Sequence, residues 1–213
     1  ITFEGSEGAG KSTQIKLLAL LLKKYHISFV VTREPGGSRL STHLRRWILN
    51  ELEYQLTSET ELFLFLADRS QHVNEIIKPA LKKGLVVLCD RYTDSTLAYQ
   101  GGGRGFDMKL LEINNRLASD GLKPDITLLF DLPVEMGLKR ALGRGKGKDR
   151  MEKEKIEFHR RVRNVFLNIA RKDKKRVLIL DASQKVELVY QQMLEKLIDH
   201  LPTPKASLKG RYV

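Results

Sequence analysis

The sequence predicts an α/β protein with three layers: a central five-stranded parallel sheet flanked by helices, together with a mobile lid. Three observations lead there. Five short apolar runs, rich in β-branched residues or leucine, alternate with helical patterns, as parallel strands and their crossover helices do. A Gly-rich stretch, Gly5 to Ser12, joins the first run to the first helical pattern. Charged motifs follow the second and third runs directly, where ligands of such sheets bind, beyond the carboxyl ends of the strands.

Taken in order, the strands are expected over Ile1–Phe3, Ser28–Thr32, Leu85–Cys89, Asp125–Phe130 and Arg176–Leu180. Apolar spacing near 3.6 residues predicts helices over Lys11–Lys24, Thr42–Asn50, Ser58–Lys83, Met108–Asp120, Val134–Leu142, Glu154–Lys172 and Val186–His200. One domain over residues 1–201 is expected, with the lid at about 140–152. The stretch 202–213, with two prolines and little apolar pattern, reads as a loosely held tail.

At 213 residues, with 41% hydrophobic and 30% charged residues, the chain suits one globular domain with a substantial core. Its longest apolar stretch, Leu17–Leu22, is too short to cross a bilayer and no signal peptide is seen, so no membrane partner is expected and the cytoplasm is the expected location. Cys89, the only cysteine, reads as a buried core thiol. The net charge of +12 concentrates between Lys139 and Arg176, where 16 Lys or Arg face 5 Asp or Glu. Such a segment suits nucleic acid, an acidic membrane, a lid over phosphates, or a solvated helix face. Its aromatics, Phe158 and Phe166, fall with Ile156, Val162, Val165 and Ile169 on a helical stripe rather than a stacking surface, so nucleic acid is not expected as a partner.

Gly5-Ser-Glu-Gly-Ala-Gly-Lys11-Ser12-Thr13 is the phosphate-binding loop G-x-x-x-x-G-K-[ST] in its proper strand–loop–helix setting. Backbone N–H groups of Gly5, Ser6, Glu7, Gly8, Ala9 and Gly10, with those of Ser12 and Thr13 at the helix start, cradle phosphate oxygens. Lys11 reaches the β- and γ-phosphates and the Ser12 hydroxyl reaches Mg²⁺. The chain is therefore expected to bind a nucleoside triphosphate on a P-loop NTPase fold. The guanine-reading Asn-Lys-x-Asp is absent, and no helicase-like motif series is visible.

Three further motifs, Thr32-Arg-Glu-Pro-Gly-Gly37, Asp90-Arg-Tyr-Thr-Asp-Ser95 and Ala98-Tyr-Gln-Gly-Gly-Gly-Arg-Gly105, join the phosphate-binding loop in an order that closely resembles the thymidylate kinase family, in particular its bacterial branch. The resemblance runs from the first strand to about His200. It implies transfer of the ATP γ-phosphoryl group to dTMP with Mg²⁺, and commonly a homodimer built through the long helices. It also implies roles for particular residues. Phe65 stacks on the pyrimidine and Arg69 donates to its O4. From spacing alone these two share a helix face, and Phe65 reads equally as a core residue of Leu62–Leu66. Arg45 and Arg91 hold the acceptor phosphate, and Arg91 also spans the gap to the donor; guanidinium forks suit both tasks. Asp90 holds Mg²⁺ through water. Glu7 faces the deoxyribose 3′-hydroxyl, and Glu34 is a carboxylate in need of a metal, an arginine or a sugar hydroxyl. Thr96, Tyr99 and Gln100 read the base and crowd the place of a ribose 2′-hydroxyl, while for Thr96 a turn-stabilising hydroxyl is the competing reading.

Arg140 to Glu152 reads as the lid, with Gly143, Gly145 and Gly147 giving mobility. Family members without arginine in the phosphate-binding loop carry it in the lid. Here Arg144 and Arg150 are the expected catalytic cations beside Lys11 and Arg91, with Arg140 on the ATP side. The run Gly145-Lys-Gly-Lys148 departs from the usual lid, which leaves open which cation meets the γ-phosphate. Two alternatives stand beside this reading: a kinase for another nucleoside monophosphate, and a nucleic-acid-binding ATPase.

Overall fold

The computed structural model describes residues 1–50, 55–143, 149–198 and 200–201. Five strands, β1 (Thr2–Glu4), β2 (Phe29–Arg33), β3 (Val86–Asp90), β4 (Thr127–Asp131) and β5 (Val177–Asp181), form one parallel sheet in the order β2-β3-β1-β4-β5. The expected five-stranded parallel sheet is present. Each strand runs one residue beyond the end expected from sequence and closes on a charged side chain. Backbone pairing continues there, as Arg33 with Asp90 and Asp131 with Asp181, because ladder hydrogen bonds do not depend on side-chain polarity.

The helices are α1 (Lys11–Lys24), α2 (Arg39–Leu49), α3 (Ser58–His72), α4 (Lys78–Lys82), α5 (Thr93–Thr96), α6 (Met108–Ala118), α7 (Val134–Leu142), α8 (Ile156–Lys172) and α9 (Val186–Leu197). A π-helical turn, Val73–Ile77, joins α3 to α4, so the long helix expected over Ser58–Lys83 is continuous but locally widened. The stretch 93–103, absent from the expected helices, is helical too: α5 passes into a second π segment, Leu97–Gly103. Its three glycines mark a close approach rather than a loop. A Cβ on Gly103 would lie 2.4 Å from the Phe158 ring of α8, and one on Gly102 would lie 3.0 Å from the Arg161 carbonyl. The Arg161 guanidinium donates to the carbonyls of Gly102 and Gly103, both at 2.9 Å, and locks the two helices together.

One core packs α1 and α9 on the sheet around Phe3, Leu18, Leu22, Leu128, Phe130, Leu180 and Met193. A second lies under α8, where Phe158, Val162, Phe166 and Ala170 meet Tyr99 and Leu129. The basic helix α8 thus buries the predicted apolar stripe. Cys89 is buried, and burial pushes its thiol pKa well up, in keeping with a core thiol. Among the described residues no helix is long and apolar enough to cross a membrane. The predicted tail, 202–213, lies outside the described residues.

Candidate active site

The strand order sets β1 beside β3 and β3 beside β2, so the three loops after them open into one cleft. Glu7–Ser12 form its floor, Arg33, Glu34, Pro35 and Arg45 one wall, and Asp90–Tyr92 with Ser95, Thr96, Tyr99 and Gln100 the other. Phe65 and Arg69 reach in from α3, and Asp149, Met151 and Glu152 from the chain before α8. Of the described residues assigned from sequence, Gly5, Ser6, Thr13, Arg140 and Arg150 are not among those lining the cleft. Arg140 donates to the carbonyls of Ala182 (2.7 Å) and Ser183 (2.9 Å), tying α7 to the loop after β5.

Helix α1 begins without a side-chain cap. Gly10 stands at its N-cap with φ 84°, a conformation that suits glycine, and its first N–H groups have no side-chain acceptor. By contrast, Ser38, Thr57 and Asp107 cap α2, α3 and α6. A helix start left open behind a glycine loop is an anion site. Lys11, almost buried, donates to the carbonyls of Gly5 (2.9 Å) and Ser6 (3.0 Å). Burial, aided by the nearby Arg91 charge, pulls its pKa down to about 8.

Arg91 adopts φ 69°, a left-handed conformation that is costly for a residue with a Cβ and is characteristic of functional turns. Its guanidinium donates to the Gly5 carbonyl (3.1 Å), Ser95 Oγ (3.2 Å) and Glu7 Oε1 (3.2 Å), and lies 4.9 Å from the Tyr99 ring centroid. Glu7 Oε1 also accepts from the Tyr99 hydroxyl at 2.5 Å. Burial alone would raise the Glu7 pKa, but His159, Arg91, Lys11 and Tyr99 outweigh it and bring it to about 2. Glu7 is an anion throughout the working range.

Ser12 Oγ lies 3.4 Å from Asp90 Oδ2, while Asp90 Oδ1 is buried with no hydrogen-bond partner among the described residues. An orphaned carboxylate oxygen beside a hydroxyl is a hard-oxygen donor set suited to Mg²⁺. Among the described residues no group of three or more His, Cys, Asp or Glu is arranged for a metal. A phosphate-binding loop needs none, since the nucleotide and water complete the shell.

Arg69, only 2% exposed, is more fully engaged than a simple base reader. Nε donates to Glu34 Oε2 (2.8 Å), Nη1 to Thr96 Oγ1 (2.8 Å) and Asn115 Oδ1 (2.5 Å), and Nη2 to the Tyr92 carbonyl (3.0 Å), with Glu34 Oε2 also 2.8 Å from Nη2. Four of its five N–H groups are thereby hydrogen-bonded, and the fifth lies beside the Glu34 carboxylate. Glu34 finds the arginine it needed, and its second oxygen meets His72 Nδ1 at 2.9 Å. Thr96 serves this network rather than a turn. Gln100 donates to Glu61 Oε1 (3.0 Å), and Arg45 to the Pro35 carbonyl (2.8 Å).

Arg150 does not reach the phosphate-binding loop in this structure. Its Nε donates to the Ile48 carbonyl (2.9 Å) and its Nη2 to Glu61 Oε2 (2.5 Å). Glu61, 1% exposed, also binds Arg104 through both oxygens, at 3.1 and 3.0 Å. A carboxylate so deeply buried requires cations, and it draws Arg150 to the base of the predicted lid. Arg144 lies outside the described residues, with the lid stretch 144–148.

Sequence reasoning missed Arg33, Glu61, Asn115, His159 and Glu4. Glu4 closes β1 and is fully buried. It accepts from the Tyr92 N–H (2.8 Å), the Ser95 N–H (3.2 Å) and Ser95 Oγ (2.6 Å), fixing the turn that carries Arg91. A carboxylate ending an apolar run was the available signal. Burial, then the charge of Asp94, pushes its pKa up to about 7, from an ordinary 4.5. The folded state therefore holds more protons than the unfolded chain between those values, and stability falls as pH rises from about 4.5 through 7. Glu4→Gln is expected to flatten that part of the profile, read by urea unfolding at a series of pH values. An undiminished slope would exclude Glu4 as its source.

A comparison with known proteins agrees with this architecture. The profile of the family described as Thymidylate kinase matches residues 3–193. The thymidylate kinase of Desulfovibrio desulfuricans is 51% identical over 198 residues, covering 90% of this chain and 91% of that protein. That of Geotalea uraniireducens is 50% identical over 192 residues, covering 88% and 90%. The crystal structure of thymidylate kinase from Ehrlichia chaffeensis superposes with a TM-score of 0.74 at 36% identity, covering 92% of this chain and 96% of that one. With likeness in sequence over almost its whole length and in the fold that forms the cleft, this chain belongs to the thymidylate kinase family.

Proposed function

We infer that the protein transfers the γ-phosphoryl group of ATP to the 5′-phosphate of dTMP, giving dTDP and ADP. The observation that carries this reading is the single cleft, in which an uncapped helix start with Lys11 faces three guanidinium groups, Arg33, Arg45 and Arg91. Such a cleft suits two anionic groups, one from each nucleotide. Asp90 and Ser12 would hold Mg²⁺, which when bound neutralises charge on the donor phosphates. The acceptor is an ionised phosphate and needs no strong general base. Catalysis rests on alignment and charge neutralisation by Lys11, Arg91 and an arginine of the lid over 140–152. Arg144 is assigned that last role, since Arg150 pairs with Glu61.

On the acceptor side, Phe65 stacks on the base and the Arg69 network borders it, while Tyr99 and Gln100 close the pocket around the deoxyribose, beside Glu7. Assembly as a homodimer is supported by apolar side chains exposed on the neighbouring helices α3 and α6: Phe63 (63%), Ile113 (68%) and Leu117 (79%). Both substrates belong to the cytoplasm, where we place the protein. A coupled ADP-release assay across dTMP, dUMP, UMP, dCMP, AMP and GMP tests the substrate assignment. Turnover is expected to be fastest with dTMP, and equal or faster turnover with any other acceptor would overturn it.

A further inference from the structure

His159 is a buried ionisable side chain that the reaction as described does not use. It lies on α8 and is 1% exposed, and among the described residues neither ring nitrogen has a hydrogen-bond partner. Its Nδ1 stands 3.4 Å from Glu7 Oε2, itself a buried oxygen without a hydrogen bond. Two buried polar groups facing each other without a well-formed hydrogen bond are costly unless they pair at some stage. The other Glu7 oxygen is held by Tyr99 and Arg91. The His159 ring is itself fixed edge-on against Phe158, 5.5 Å between centroids at 82°. Only a small ring movement separates the pair from a charge-assisted hydrogen bond, and such bonds commonly tighten when ligands fill a site.

We propose that His159 is a positioning residue of the phosphate-transfer site, donating Nδ1–H to Glu7 Oε2 in the ligand-bound enzyme. The Glu7 carboxylate is then gripped on both oxygens, by Tyr99 and Arg91 on one and His159 on the other, and keeps a single orientation in the cleft. This rests on the assignment of Glu7 to the dTMP side of the cleft.

Calorimetric titration of dTMP and of ATP into the wild type, Glu7→Gln, His159→Phe, His159→Asn and the Glu7→Gln/His159→Phe double variant tests it. Phenylalanine keeps the ring packing without the donor, and asparagine restores an N–H near the Nδ1 position. His159→Phe is expected to weaken dTMP about five- to tenfold, the size of one hydrogen bond, with ATP changed less than about twofold. His159→Asn should recover most of that loss, and the double variant should bind no more weakly than Glu7→Gln alone. Unchanged dTMP affinity in His159→Phe, no recovery with asparagine, or additive effects would each overturn the proposal. If Glu7→Gln leaves dTMP binding intact, the assignment of Glu7 fails instead. Imidazole ¹⁵N spectra of the wild-type enzyme with dTMP bound need no variant: a proton on Nδ1 of His159 is expected, and its absence would refute the pairing.

Discussion

Lys11→Ala is expected to abolish measurable phosphoryl transfer while leaving the fold intact. The side chain now rests on the carbonyls of Gly5 and Ser6, both in its own loop, so its removal empties no core position. What disappears is the cation to which we assign neutralisation of the negative charge that develops on the transferring phosphate oxygens. Loss of a single pre-aligned donor at such a position costs about 10²–10³ in kcat, and a full charge in a water-poor cleft costs more. The measurement is kcat at saturating ATP and dTMP beside the thermal unfolding midpoint. Near-normal turnover in a folded variant would refute the assignment of the loop.

Arg69→Ala is expected to be the most damaging change on the acceptor side, and to act in two ways. It strips the buried Glu34 carboxylate of its arginine and leaves Thr96, Asn115 and the Tyr92 carbonyl without their donor. Breaking a buried ion pair from one side costs about 3–5 kcal/mol, since the remaining charge is uncompensated. The walls of the base pocket, which this guanidinium ties together, should loosen as well, so that dTMP weakens far more than ATP. Urea unfolding and separate titrations of the two nucleotides distinguish the effects. Pairing Arg69→Met with Glu34→Gln removes both charges and should recover much of the stability without recovering dTMP affinity. If dTMP affinity returns with stability, Arg69 acts on the base only through the fold.

The phosphate-binding loop, the succession of strands and helices, and the arginines Arg45, Arg69 and Arg91 that line the cleft were all legible in the sequence. Each is a local signal: a glycine spacing with a lysine, an apolar run, a 3.6-residue stripe, or an arginine pair on one helix such as Arg45 and the exposed Arg46. The resemblance carried by four ordered motifs added the substrate. What local pattern could not supply is which buried charges meet. Glu4 is 88 residues from Tyr92, and Glu61 is 89 from Arg150. Nothing in the neighbourhood of either carboxylate names its partner. Arg150 looked like a phosphate ligand from its place in a basic, glycine-rich segment, yet a buried carboxylate on α3 holds it elsewhere. Arg69 looked like a free donor, yet four acceptors, on Glu34, Tyr92, Thr96 and Asn115, surround it. The glycines at 101–103 fall outside every helix expected from sequence, yet they lie in a helical segment packed closely against α8. The physical reason is common to all three. Secondary structure follows from the period of neighbouring side chains, whereas the partner of a buried ion is fixed by topology, which brings together residues far apart in the chain and forbids any of their charges to remain alone.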